Sequence, residues 1–212
     1  MNEHQAESQP IAPQGAAAAI DGIEERVIRI VAQALDADPA TVTPQTSLEG
    51  DLGAESLDYL DIAFMLEREF RIQFPRTDFM QRAADHYGEE NLVKNGIITD
   101  FGLDLLARGM PELDRSKLTS GLSVNEVRKM FTVATFIRVV RRLVEFYESV
   151  DKTCPQCGKT MDRSAAAPEL VCGGCGNVVP MRSGDDILLD EVLGLSAPSA
   201  GVEPLAQRGT TA

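Results

Sequence analysis

Asp51-Leu52-Gly53-Ala54-Glu55-Ser56-Leu57-Asp58 is the stretch on which the reading of this chain turns. A glycine-containing loop runs into a serine, and an amphipathic pattern follows at once. Such a serine is placed to cap a helix N-terminus, with its hydroxyl in the open and the positive end of the helix dipole favouring a phosphate. Leu60, Ala63, Leu66 and Phe70 recur at helical spacing, with Asp58, Asp61, Glu67 and Glu69 mostly off that stripe. Pro75 stops the pattern. The expectation is an acidic helix of about four to five turns, opened by Ser56. Local spacing alone asks no more of Ser56 than a cap.

The wider segment asks more. Asp51 through Asp58, then Leu60, Ala63, Leu66-Glu67, Glu69-Phe70 and Phe74-Pro75, resembles the acyl carrier protein family without a gap. The resemblance implies that Ser56 carries 4′-phosphopantetheine through a phosphodiester, and that the thiol end of this arm holds acyl groups as thioesters. It also implies two kinds of partner: a phosphopantetheinyl transferase, and acyl-transferring or acyl-modifying enzymes whose basic grooves meet the carboxylates of Glu55, Asp58 and Asp61. Glu55 stands where the family usually has Asp, which bears on the choice of transferase. Tyr59 and Phe64 are bulkier than the family's usual residues, and Arg68 and Arg71 interrupt the acidic face. These departures fit a narrowed set of partners or ordinary surface drift.

With 212 residues, 43% hydrophobic and 25% charged, the chain has the composition of a globular protein. It has no apolar run near 18 residues, so no membrane insertion is expected. The N-terminus carries Glu3 and lacks a basic segment leading into an apolar one, so it does not read as a secretory signal, and the expected compartment is the cytoplasm. The net charge is −13, and residues 21–75 hold −8 of it, from twelve acidic and four basic residues. This disfavours nucleic acid and favours basic patches on protein partners.

Residues 1–20 and 196–212 have linker composition and are expected to be disordered tails. Residues 21–150 are read as the carrier domain. Ile23, Val27, Ile30, Val31 and Ala34 share one helical face, which Asp21 can cap and Asp38-Pro39 ends. The loop Thr41–Leu52 then leads to Ser56, the order of elements in carrier proteins. Residues 76–121 are about forty more than that family needs, and are read as a helical insertion packed beside the bundle. Within it Thr99-Asp100 opens a short helix through Ala107, ended by Gly109 ahead of Pro111. His86 is a lone histidine without ligand spacing. Ser123 and Glu126 have capping-box spacing. Beyond them Val133, Phe136, Ile137, Val140, Leu143, Val144 and Tyr147 form the buried stripe of a helix whose opening Thr132-Val133 matches the last helix of carrier proteins. Arg138, Arg141 and Arg142 are expected on its solvated side.

All four cysteines fall in one short segment: Cys154 and Cys157, then fourteen residues, then Cys172 and Cys175. Two Cys-x-x-Cys turns, each with glycine after its second cysteine, let backbone amides approach the thiolates. Brought together by a hairpin through Thr160-Met161 and Glu169-Leu170-Val171, they would make a closed tetrahedral site. The pattern resembles the zinc ribbon family, over residues 151–183. Two disulfides or a redox pair are the other readings. A cytoplasmic chain disfavours stable disulfides, and the βαβ setting of a thioredoxin-like motif is missing. Zinc would be structural here, since four thiolates leave no open position. Residues 184–195 read as a short closing helix.

The expected fold class is mainly α: an acyl-carrier-like helical bundle with a helical insertion, plus a small C-terminal zinc ribbon. No nucleophile–base pair, phosphate loop or catalytic metal site is legible, so a carrier and not an enzyme is expected. Two alternatives stay open at this point: an unmodified carrier-like binding module acting as an assembly or regulatory subunit, and an aminoacyl carrier.

Overall fold

The computed structural model describes residues 22–76, 79–164 and 169–193. The expected tails and the Asp21 cap lie outside the described residues. The protein is mainly α, as its sequence reads, with only short strands among the described residues.

Helix α1 (Ile23–Ala34) buries Ile23, Val27, Ile30, Val31 and Ala32, and it starts from Gly22 in the left-handed region. Helix α2 (Ser56–Phe70) buries Ile62, Ala63, Leu66 and Phe70. Arg26 of α1 ties the two together, bonding the Glu69 carboxylate at 2.9 Å and lying over the Phe70 ring at 4.2 Å. Three expectations about α2 need correction. Ser56 is not the cap: Glu55 is, in extended backbone, and its N–H donates to the Asp58 carboxylate at 2.7 Å. Leu60 is not in the core: it is 51% exposed, and Ile62 takes the buried position. Pro75 does not stop the helix: Arg71 does, in the left-handed conformation, with its N–H bonded to the Glu67 carbonyl.

The insertion begins with α3 (Phe79–Tyr87) and α4 (Glu89–Leu92), then a two-stranded hairpin, β1 (Val93–Lys94) and β2 (Ile97–Ile98). Asn95 and Gly96, both at positive φ, make its turn. Helix α5 (Asp100–Gly109) opens where the sequence places it, with the Thr99 hydroxyl accepting from the Gly102 N–H at 3.1 Å. A 3-10 turn at Arg115–Lys117 and α6 (Val124–Arg128) follow, and Ser123 and Glu126 form the expected capping box. The insertion has cores of its own. Ile98, Leu103, Leu106, Met110 and Leu113 make one together with Val127 of α6, just beyond the insertion, and Ala83, Leu92 and Leu105 make another. Phe131 packs against both the first of these and the carrier core, which joins the two parts.

Helix α7 (Val133–Ser149) buries the predicted stripe, and α1, α2 and α7 share one core. Arg138 departs from the solvated face expected of it. It bonds Glu112 of the insertion at 2.8 Å, with the two side chains only 20% and 10% exposed. A pair this enclosed needs its partner, because a lone buried charge is costly.

After α7 come three antiparallel strands, β3 (Asp162–Arg163), β4 (Glu169–Val171) and β5 (Val178–Pro180), with β4 in the centre. Helix α8 (Gly184–Leu193) follows and returns to the carrier. Its Ile187, 1% exposed, belongs to the same buried cluster as Leu66, Phe70 and Tyr147. A Cβ built on Gly184 would run into the Gln73 carbonyl oxygen and lie 3.3 Å from the Pro75 nitrogen. Both neighbours are backbone and cannot swing aside. Gly184→Ala is therefore expected to cost about 1–3 kcal/mol, seen as a lower thermal midpoint. An unchanged midpoint would mean that α8 does not sit this close.

Candidate functional sites

The loop ahead of α2 is built to hold its first residue still. The Ser47 N–H donates to the Asp51 carboxylate at 2.8 Å, and the Ser47 hydroxyl accepts from the Gly50 N–H at 3.0 Å. Leu48 and Ala54 are buried and joined by a backbone bond of 2.8 Å. Gly53 takes φ +67°, a conformation that side chains disfavour, and this turns the chain into the helix. The loop is also pinned to the start of α7, since the Leu48 N–H donates to the Phe131 carbonyl and the Val133 N–H to the Thr46 carbonyl, each at 3.1 Å.

Ser56 leaves this loop as the first helical residue, and it is exposed. Among the described residues nothing bonds its hydroxyl, because Glu55 and Asp58 close the helix end in its place. Of the three carboxylates predicted to meet partners, Glu55 and Asp61 are exposed, whereas Asp58 is half-buried and held by the Glu55 N–H. Between them lies a feature the sequence reading missed. Leu57, Leu60 and Phe64 are 73%, 51% and 49% exposed, at spacing that puts them on one outer face of α2. Arg76 lies over the Phe64 ring at 4.9 Å and bonds Glu67 at 2.8 Å. Tyr59 turns inward, its ring 6.2 Å from that of Phe136. Burial, helped by the nearby Glu49 charge and opposed by Arg128, pushes the Tyr59 hydroxyl up to about 12, so it stays a neutral phenol.

The second site joins the four cysteines. Their sulfurs all lie within 4.8 Å of one another. Cys154 and Cys175 are 3.6 Å apart, and Cys157 and Cys172 are 3.5 Å apart. Four sulfurs about 2.3 Å from a shared tetrahedral zinc would stand about 3.8 Å from each other. A disulfide needs about 2.05 Å, and none is formed. The two turns repeat one design. Gly158 N–H bonds the Cys154 carbonyl and Gly176 N–H the Cys172 carbonyl, both at 2.9 Å, and both glycines have positive φ. Burial works against the Cys154 thiolate, but the backbone N–H groups of Cys157 and Gln156 outweigh it and bring the thiol down to about 6. For Cys175 the Asn177 N–H favours the thiolate. Burial and the sulfurs of Cys157 and Cys154 outweigh that and push it up to about 12. A cation among the four sulfurs would favour the thiolate at each, and a four-sulfur donor set is of the kind that zinc takes. The cluster is compatible with a zinc-ribbon-like segment.

An open groove of about 320 Å³ runs along α7, lined by Glu24, Ile137, Arg141 and Glu145 among others, and no α2 residue lines it. Among the described residues no helix is long and apolar enough to cross a membrane.

Known proteins match at the first site. The phosphopantetheine attachment site family matches residues 25–84, which takes in α1 from Glu25 onward, the loop, all of α2 and the start of α3. An acyl carrier protein of Caulobacter vibrioides is 49% identical over 64 residues, 30% of this chain and 76% of that protein. One of Phenylobacterium zucineum is 49% identical over 62 residues, 29% of this chain and 72% of that protein. The acyl carrier protein AcpXL of Rhizobium etli is 40% identical over 61 residues, so that this chain spans 66% of its length. No solved structure matches. The exposed, unbonded Ser56 and its loop fall inside the matched span, and relatives are matched over most of their length: the chain belongs to the acyl carrier protein family.

Proposed function

We propose that this chain carries acyl groups on a 4′-phosphopantetheine arm joined to the Ser56 hydroxyl. The observation that carries this reading is the exposed and unbonded Ser56 at the first turn of α2, inside the span that matches the attachment-site family. When attached, the arm supplies a terminal thiol that holds cargo as a thioester. The chain's own residues do the rest. Ser56 Oγ is the point of attachment, and the N–H groups of the first α2 turn and the helix dipole favour the phosphodiester. The loop from Ser47 to Ala54 keeps that end of α2 rigid while leaving it open to an incoming enzyme.

Partners would be a phosphopantetheinyl transferase and acyl-handling enzymes of fatty-acid, lipid or polyketide-type synthesis, met in the cytoplasm. Leu57, Leu60 and Phe64 offer them an apolar strip, with Glu55 and Asp61 as acidic flanks for basic grooves. The Asp51–Ser56 sequence favours acyl over aminoacyl cargo. Cys154, Cys157, Cys172 and Cys175 would hold one structural zinc, with no position left for catalysis. The protein is thus a carrier and not a catalyst, and its charge turns it away from nucleic acid.

The test is incubation of the purified chain with coenzyme A and a broad-specificity transferase, followed by intact mass. A gain of one arm is expected; a refractory chain would favour the unmodified binding module. Reversing the flanks, Glu55→Lys with Asp61→Lys, is expected to slow loading about tenfold or more, by removing the attraction that steers encounter. An unchanged loading rate would dismiss the acidic flanks.

A further inference from the structure

We propose that the four-cysteine ribbon is a staple for the carrier bundle, so that the metal state of the ribbon sets the stability of the far ends of α2 and α7. The inference rests on reading the cysteines as a metal centre, and goes beyond that reading in what the centre controls.

The ribbon is fastened to the carrier at three places. Arg163 of β3 donates to Glu148 in the last turn of α7 at 3.0 Å, and to the carbonyl of Arg71, the residue that ends α2, at 3.2 Å. The exit from β5 comes next, where the Tyr147 hydroxyl donates to the Arg182 carbonyl at 3.3 Å. Last is α8, whose Gly184 lies against Gln73, whose Ile187 fills the carrier core, and whose Asp185 and Asp186 meet Arg82 of α3. Asp185 also accepts from the Arg76 N–H at 3.2 Å. These bonds converge on the chain that leaves α2 and on the end of α7.

What holds the ribbon itself together is slight. Its buried cluster is Cys154, Met161, Leu170 and Cys172, so two of its four members are the sulfur ligands. Three strands of two or three residues cannot keep such a core without metal. Once the ribbon opens, Arg163 and Arg182 lose their positions and α8 loses its fixed entry into the core. Ser56 lies at the other end of α2, about 22 Å away along the helix, and its loop is tied independently to α7. The coupling therefore reaches the carrier's stability and leaves the attachment residue in place.

The experiment uses the full chain: metal analysis, then amide hydrogen exchange of the same sample as purified, after chelation, and after return of zinc. One zinc per chain is expected. Chelation should speed exchange about tenfold or more at Ile72–Arg76 and Tyr147–Ser149 as well as in the ribbon, and zinc should reverse it. Arg163→Ala, which keeps all four cysteines, should still bind zinc but show a smaller effect of chelation on those segments. One bound zinc with no change at Ile72–Arg76 or Tyr147–Ser149 would overturn the coupling alone. An undiminished effect in zinc-loaded Arg163→Ala would overturn the link as drawn. A chain that binds no zinc would overturn both the coupling and the metal reading.

Discussion

A Ser56→Ala chain is expected to fold as stably as the wild type and to accept no phosphopantetheine arm. The first half follows from the helix end. Glu55 is the N-cap, the Asp58 carboxylate takes its N–H at 2.7 Å, and the Ser56 hydroxyl bonds nothing among the described residues. Alanine is the best helix former, so in the first turn it should shift stability by no more than about 0.5 kcal/mol. Had Ser56 been the cap, as spacing suggests, the same change would cost about 1 kcal/mol. The second half follows from chemistry: without the oxygen no phosphodiester can form at this position. Thermal unfolding and intact mass after transferase treatment check the two halves separately. A variant that still gains the arm would place attachment elsewhere.

Cys172→Ser is expected to bring zinc from one equivalent to nearly none and to unfold the ribbon. Cys172 is 1% exposed and its sulfur is 3.5 Å from that of Cys157, so no outside ligand can replace it. Serine keeps the backbone of the turn, including the bond from its N–H to the Asn177 carbonyl, but supplies a poor ligand for zinc. On the proposed metal reading, binding the metal and folding the ribbon are one event, so the structure of β3–β5 should go with it. Metal analysis with proteolysis of residues 154–180 checks this. Full zinc occupancy in the variant would mean that Cys172 is not a ligand.

Much of this protein is written locally. The carrier motif around Ser56, the stripes of α1 and α7, the Thr99 and Ser123 caps and the cysteine spacing are all short-range signals, and each is found in the structure. What failed depended on partners far along the chain. Helix α2 has apolar residues on two faces, and only packing against α1 and α7 decides that Ile62 goes inward and Leu60 outward. Arg138 reads as solvated until Glu112 arrives from the insertion. The docking of α8 joins residues 109 positions apart, as in the bond from Arg76 to Asp185. The cap lies one residue before Ser56 because Glu55 is the residue in extended backbone and the Asp58 carboxylate takes its N–H at 2.7 Å. One signal was present and went unread: Asn95-Gly96 between Val93-Lys94 and Ile97-Ile98 is the turn chemistry of a two-residue hairpin.

The most direct measurement is the intact mass of the chain isolated from its own cells, with fragmentation of the peptide that spans Ser56. The account predicts one phosphopantetheine on Ser56, with any further mass belonging to the cargo. A chain that is unmodified in its own cells, or that carries the arm on another residue, would contradict it.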